Sequence, residues 1–165
     1  MRVFHHMREL EEALRDWERY QRIPEEQFLQ DRDTQNMVHH AMLLSIQSAI
    51  DMATDVIAEG RLRKPFTYRE TFEVLADEGI IHESLARDLA NLAGFRNVLV
   101  HIYWNLDLKQ VYAILQHDLA VLREFSRYEG AHRGERFNRS IGGFSLESEL
   151  QPVTQTPRAP PPAPP

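Results

Sequence analysis

The sequence predicts an all-α protein folded as an up-and-down helical bundle, and three observations support this fold class. Apolar residues recur at spacings of three and four along most of the first 128 residues, strictly alternating patterns are almost absent, and the connections between periodic segments are short. The chain has 165 residues, of which 42% are apolar, which is enough for one domain with a substantial core. We therefore expect one helical domain over residues 1–128.

The first two predicted helices are separated by a break at Pro24. The first helix ends before this proline, and its apolar face carries Leu10, Leu14 and Trp17. The second helix runs from near Asp33 to Gly60 and would be about 40 Å long at a rise of about 1.5 Å per residue. Its apolar positions, spaced by three and four residues, are Val38, Met42, Ile46, Ala49, Ala53 and Ile57.

Three more helices complete the predicted bundle. A short helix follows Thr67, which together with Glu70 forms a T-x-x-E capping box, and Gly79 ends it. The next helix presents Leu85, Leu89, Leu92, Phe95 and Leu99. The last helix begins at Asp107, and its apolar residues are Leu108, Val111, Leu115, Leu119, Leu122 and Phe125.

The residues after Tyr128 have a different composition. Seven of the nine prolines and four of the seven glycines lie there, and the chain ends in RAPPPAPP. Such a segment buries too little apolar surface to order itself. We expect residues 129–165 to form a disordered Gly/Pro-rich tail, and a solubilising role is favoured over binding to a proline-recognition groove.

Charge and cysteine content narrow the function classes. The net charge of −6 argues against broad, sequence-independent attraction to nucleic acid, so any binding of RNA must rest on a few well-placed cations. The absence of cysteine excludes disulfides, thiolate metal sites and a cysteine nucleophile. No segment approaches about 20 consecutive apolar residues. We expect a cytoplasmic protein with no membrane contact.

The segment RNVLVHIY, residues 96–103, interrupts the apolar pattern of its helix. Residues at i, i+3, i+4 and i+7 share a helix face, so Arg96 and Tyr103 interrupt the leucine stripe. A buried guanidinium without a partner would be costly, so Arg96 should line a cleft or an interface where it finds an anion. Asn97 and His101 form a neighbouring pair. Arg96 and His101 would be about 140° apart on one ideal helix. A joint role requires the helix to end near His101, or a second subunit to supply half of the site.

These four side chains are each more often structural when they occur alone. Together they are the minimum set for metal-independent cleavage of RNA, because they combine an imidazole that moves protons, a fork-shaped cation for phosphate, and polar groups that orient the ribose. We therefore expect Arg96 and His101 to be catalytic, with support from Asn97 and Tyr103.

The pattern RNVLVHIY resembles the R-x4-H-x-Y motif of HEPN-superfamily ribonuclease toxins, specifically the HepT-like group. The resemblance covers roughly residues 8–128 and includes SIQSAIDMATDVIAEG, PFTYRETFEVLADEGII and LARDLANLAGFRNVLVHIYWNLDLKQVYAIL. It implies an all-α homodimer in which two motifs meet at a composite cleft. It also implies a cognate antitoxin, a nucleotidyltransferase of the MNT type, that adenylylates the motif tyrosine, here Tyr103.

Other candidate residues have competing interpretations. Asp51, which shares a face of the long helix with Asp55, either supports the site or belongs to a solvated face. The stretch RLRKPFTYR either contacts the RNA backbone, with stacking by its aromatic residues, or is a solvated loop; its cations are Arg61, Arg63, Lys64 and Arg69. The adjacent histidines at 5–6 and 39–40 cannot easily bind one ion, so we expect no metal site and no cofactor.

The sequence thus predicts an endoribonuclease toxin that cleaves tRNA-like RNA or mRNA. The competing hypothesis is a non-catalytic HEPN module that scaffolds a nucleotidyltransferase or a nucleic-acid partner.

Overall fold

The computed structural model describes residues 2–101 and 105–128, and these residues form helices joined by turns. The all-α prediction is confirmed. Residues 119–128 are also helical. Tyr103 and the predicted tail at residues 129–165 lie outside the described residues, so their structure stays a prediction. The helices are α1 (Arg2–Tyr20), α2 (Glu25–Gln30), α3 (Arg32–Gly60), α4 (Tyr68–Asp77), α5 (Glu83–His101) and α6 (Leu108–His117).

Helix α3 is the centre of the bundle. It is 29 residues long, and α1, α2, α4 and α5 all pack against it. Its length and apolar content alone would let it cross a membrane, but most of its most apolar stretch is buried among the other helices. Helix α3 is therefore a core helix of the bundle. Its buried apolar side chains include Val38, Met42, Ile46, Ala49, Ile50, Met52, Ala53, Val56 and Ile57.

Side-chain caps fix where the helices begin. The Asp31 carboxylate accepts a hydrogen bond from the Asp33 backbone N–H at 3.1 Å and caps α3. The Thr67 hydroxyl accepts from the Glu70 backbone N–H at 3.1 Å, as the capping box predicts. The Glu70 carboxylate, however, accepts from the Phe66 backbone N–H at 2.7 Å, one residue before the position expected of a capping box. Glu70 therefore also fixes the linker before α4.

Two elements differ from the sequence prediction. Helix α2 was not expected, because its six residues are too few to show a period; it forms where Phe28 is buried, with the Tyr112 ring 5.6 Å away. The last predicted helix is divided by a turn at Asp118, although Leu115 and Leu119 on either side of the turn are both buried. The apolar period continues across the turn, so the sequence contains no signal for it.

A group of hydrogen bonds, which we call the α1–α6 corner, joins the start of the chain to α6. It consists of Trp17, Gln21, Tyr112 and Gln116. The Trp17 indole donates to the Leu115 carbonyl at 2.8 Å, and the Tyr112 hydroxyl donates to the Ile23 carbonyl at 2.7 Å. The Gln21 side chain also donates to the Leu115 carbonyl, and the Gln116 side chain donates to the Gln21 carbonyl. These bonds anchor the helix that follows the motif.

Candidate functional site

Arg96, near the end of α5, is half-buried and held by neutral groups. Its Nε donates to the Gln47 side-chain oxygen at 2.9 Å, and one terminal nitrogen donates to the Asn97 side-chain oxygen at 3.3 Å. Its guanidinium carbon lies 5.1 Å from the centre of the Tyr68 ring, a cation–π contact. Among the described residues, Arg96 has no carboxylate partner. Its positive charge is therefore available to an external anion.

Asp51 reaches Arg96 through Gln47. The Gln47 side-chain nitrogen donates to Asp51 Oδ1 at 2.8 Å, one turn further along α3. This bond turns the amide so that its oxygen faces Arg96, because only the oxygen can accept from the guanidinium. The predicted acid thus lies in the network without touching the arginine. Asp55, the other acid on this face, instead pairs with His6 at 2.9 Å, away from Arg96.

His101 is the last residue of α5, and its side chain is exposed, as is that of Asn97. Because Arg96 and His101 lie on one helix, five residues apart, they point about 140° away from each other. The described part of α5 ends at His101, and residues 102–104 lie outside the described residues. The described part of one chain does not bring Arg96 and His101 together, so the supply of half of the site by a second subunit stays a prediction.

A large cavity of about 870 Å³ adjoins the motif. It lies between the second half of α3, the linker 61–67 and the start of α4. Asn97 of α5 forms part of its wall, and so does Tyr68, the ring below Arg96. The cavity and the arginine therefore share two side chains.

The four predicted RNA-binding cations separate into two groups. Arg61 and Lys64 line the large cavity. Arg63 instead forms ion pairs with Glu70 and Asp77, and Arg69 lines a different hollow that it shares with Glu73. The pKa of the Glu70 carboxyl lies below its usual value, first because the Phe66 backbone N–H donates to it and then because Arg63 does. Arg63 and Glu70 thus brace the linker.

Sequence reasoning missed Gln47 and the contact between Tyr68 and Arg96. Gln47 lies 49 residues before Arg96, so no local pattern relates the two. The available signal was a polar residue one turn before Asp51 on the same helix. In the described ranges, no three His, Asp or Glu side chains are grouped as metal ligands would be.

Comparisons with known proteins agree with this fold. The profile of the family described as HepT-like, Ribonuclease HepT-like, matches residues 10–129. The mRNA nuclease HepT of Shewanella oneidensis is 31% identical over 99 residues, which cover 60% of this chain and 74% of that protein. The tRNA nuclease HepT of Aphanizomenon flos-aquae is 29% identical over 115 residues, which cover 67% of this chain and 78% of that protein.

Solved structures give the same result. A tri-AMPylated Shewanella oneidensis HEPN toxin in complex with MNT antitoxin superimposes with a TM-score of 0.73 at 25% identity, over 78% of this chain and 96% of that chain. YutE from Bacillus subtilis, described as a cytosolic protein of unknown function, superimposes with a TM-score of 0.64 at 20% identity, over 82% of this chain and 93% of that chain. The second likeness concerns the fold alone.

Proposed function

Because this chain belongs to the ribonuclease HepT-like family, whose profile spans residues 10–129, we propose that it is an endoribonuclease toxin of a toxin–antitoxin pair. The observation that most supports this proposal is the environment of the Arg96 side chain. Its guanidinium is fixed in place by two amides and a ring, yet no carboxylate of the described residues neutralises it. Such a preorganised cation suits a phosphate whose charge grows in the transition state.

The reaction we propose is attack of a ribose 2′-oxygen on the adjacent phosphorus. The bond to the 5′-oxygen breaks, which leaves a 2′,3′-cyclic phosphate and a 5′-hydroxyl. His101 acts as general base on the 2′-hydroxyl or as general acid on the leaving oxygen, and Arg96 stabilises the phosphorane charge. Asn97 and Tyr103 orient the substrate. Asp51 supports the site through Gln47, which aims the guanidinium. The residues require no metal ion and no cofactor for these steps.

The protein acts as a homodimer in this proposal, so that Arg96 of one protomer and His101 of its partner meet in one cleft. Two large apolar side chains on α3, Met37 and Leu44, are exposed and lie two turns apart on one face. A dimer would bury them, so Leu44→Glu should dissociate it. Analytical ultracentrifugation at micromolar concentration is the test, and a monomeric wild type would overturn the composite site.

The proposed antitoxin is an MNT-type nucleotidyltransferase, as in the complex of the Shewanella oneidensis toxin. It would attach AMP to Tyr103, and the added phosphate would compete for Arg96. Mass spectrometry of the co-expressed pair should find AMP on the peptide that contains residue 103. Complete restraint of a Tyr103→Phe toxin, with no adduct on either protein, would show that the antitoxin blocks the site sterically instead.

The experiment that tests the activity is expression of the toxin without its antitoxin. Wild type should arrest growth and fragment tRNA or mRNA in the cytoplasm, whereas His101→Ala should do neither. His117→Ala is the matched control, since His117 is an exposed histidine at the end of α6. Purified wild type should keep its activity in EDTA. Equal RNA fragmentation by wild type and a folded His101→Ala protein would refute the catalytic assignment.

A further inference from the structure

The large cavity beside the motif has an apolar, aromatic interior and a cationic edge. Its volume of about 870 Å³ is within the range of small-molecule sites. Ile57, Ala58, Leu62 and Pro65 form apolar walls, and Phe66 stands at the cavity with 92% of its surface exposed. An exposed phenyl ring beside an apolar hollow offers a flat surface on which a nucleobase can stack.

The charged side chains that line the cavity all have the same sign. Arg61 and Lys64 line it, and none of the described residues that line it is acidic, although the whole chain carries a net charge of −6. The Arg61 backbone has φ of 53°, a left-handed conformation that disfavours every residue except glycine and, less strongly, asparagine and aspartate. An arginine thus occupies the C-terminal cap of α3, where glycine would be easier to accommodate. Its guanidinium complements an anion.

The cavity is continuous with the place where the cleaved phosphate would bind. Tyr68 lines the cavity and also lies 5.1 Å below the Arg96 guanidinium, while Asn97 lines the cavity and accepts a hydrogen bond from Arg96. A phosphate on Arg96 and a base in the cavity would thus belong to neighbouring positions of one strand.

We propose that this cavity binds one unstacked nucleotide of the substrate RNA next to the cleaved bond, with its base on Phe66 and a flanking phosphate on Arg61 and Lys64. This inference rests on the proposed ribonuclease function. It requires the nucleotide to be unpaired, because a base held in a duplex cannot enter the cavity. The protein therefore selects cleavage sites in loops or single strands. Arg63 and Arg69 take no part, since the first is engaged in ion pairs and the second lies outside the cavity.

The test uses full-length protein and a short single-stranded RNA, both as a cleavable substrate and as a 2′-O-methyl analogue that cannot be cleaved. Phe66→Ala should bind the analogue about tenfold more weakly, as expected for loss of one stacked base, and Phe66→Trp should restore binding. Lys64→Ala should weaken binding and reduce the slope of log affinity against log salt by about 0.7, the value for one phosphate contact on a single strand. Arg69→Ala, which changes the net charge equally, should bind as wild type does.

Cleavage provides the second measurement. Wild type should cleave the single strand at least about tenfold faster than the same sequence in a duplex, since unpairing the base would cost energy. Cleavage by wild type together with unchanged binding by Phe66→Ala would overturn the inference and leave the proposed function intact. Absence of cleavage by wild type would overturn the proposed function, and the binding of the analogue would then decide the inference by itself. Dissociation of a dimer by Phe66→Ala with unchanged RNA affinity would assign the cavity to a protein interface and overturn the inference.

Discussion

The α1–α6 corner and the end of α5 are both rich in polar side chains, but they use them differently. At the corner, the indole of Trp17, the amides of Gln21 and Gln116, and the hydroxyl of Tyr112 each donate to a backbone carbonyl of another element. At the end of α5, Asn97 and His101 are exposed, and Arg96 is bound by neutral groups that leave its charge uncompensated. Polar residues at the corner complete the fold, and those at the motif are left open to a ligand.

This difference separates two effects that a substitution can have. A polar side chain at the corner joins two parts of the fold by a hydrogen bond to a backbone carbonyl, so its loss lowers stability. In the proposed function, a cation at the motif contributes little to folding and much to a transition state, so its loss should lower activity. We expect the two regions to respond separately.

The largest effect is expected for Arg96→Lys. Lysine keeps the charge but has no planar fork to donate to Gln47 and to a phosphate together, so kcat should fall about 100-fold. The melting temperature should stay close to that of wild type. Steady-state cleavage of the single-stranded RNA and a thermal melt measure the two. The control is Arg22→Lys, which changes an exposed arginine between α1 and α2. An unchanged kcat for Arg96→Lys would show that only the charge matters at position 96.

At the corner, Trp17→Phe should lower stability and spare activity. The side chain is fully buried, and phenylalanine leaves the Leu115 carbonyl without the indole donor and leaves part of the volume empty. We expect a loss of about 2 kcal/mol in the free energy of unfolding. Urea titration measures it, and kcat per folded molecule should not change. A tenfold fall in kcat of the fully folded variant would show that the α1–α6 corner also affects the site, and the two regions would then not respond separately.

Gln47→Ala tests the link between α3 and the motif. Loss of the amide frees the guanidinium to rotate, and kcat should fall about tenfold, the equivalent of about 1.4 kcal/mol. Gln47→Glu retains an acceptor but neutralises Arg96, so it should be worse than alanine. Equal kcat for wild type and both variants would show that Gln47 does not position the Arg96 guanidinium for catalysis.

The smallest effect concerns Asp118, at the turn between α6 and the helical segment 119–128. The pKa of its carboxyl is raised, first by burial and then by the nearby Asp88 carboxylate, while His117 opposes the shift. A raised pKa means that the folded state holds the proton more tightly than the unfolded state, so stability is lost as pH rises from the usual value through the raised one. At neutral pH, Asp118→Asn should raise the melting temperature by about 1 °C. The gain should vanish at a pH below the usual aspartate range, and a lower melting temperature at neutral pH would contradict it.

The sequence predicted those parts of the molecule that depend on local chemistry. The long α3 and the caps at Thr67 and Asp107 follow from period and capping residues within a few positions. The break at Asp118 and the short α2 have no periodic signature. The contacts of Arg96 with Gln47 and Tyr68 depend on how three helices pack, which no spacing in the chain encodes. The positions of Arg61 and Lys64 at the cavity, and of Arg63 and Arg69 away from it, also follow from packing.

The hydrogen bond from Arg96 to Gln47 has a mechanical consequence. It joins α5 to α3 at one register, and sliding either helix by a single residue would displace one partner by about 1.5 Å, half the length of the bond. The direction of the guanidinium therefore depends on how α3 and α5 are aligned along their contact. Substitution of the buried Leu92 or Ala49 is therefore expected to change the direction of the guanidinium and, in the proposed function, the rate of RNA cleavage.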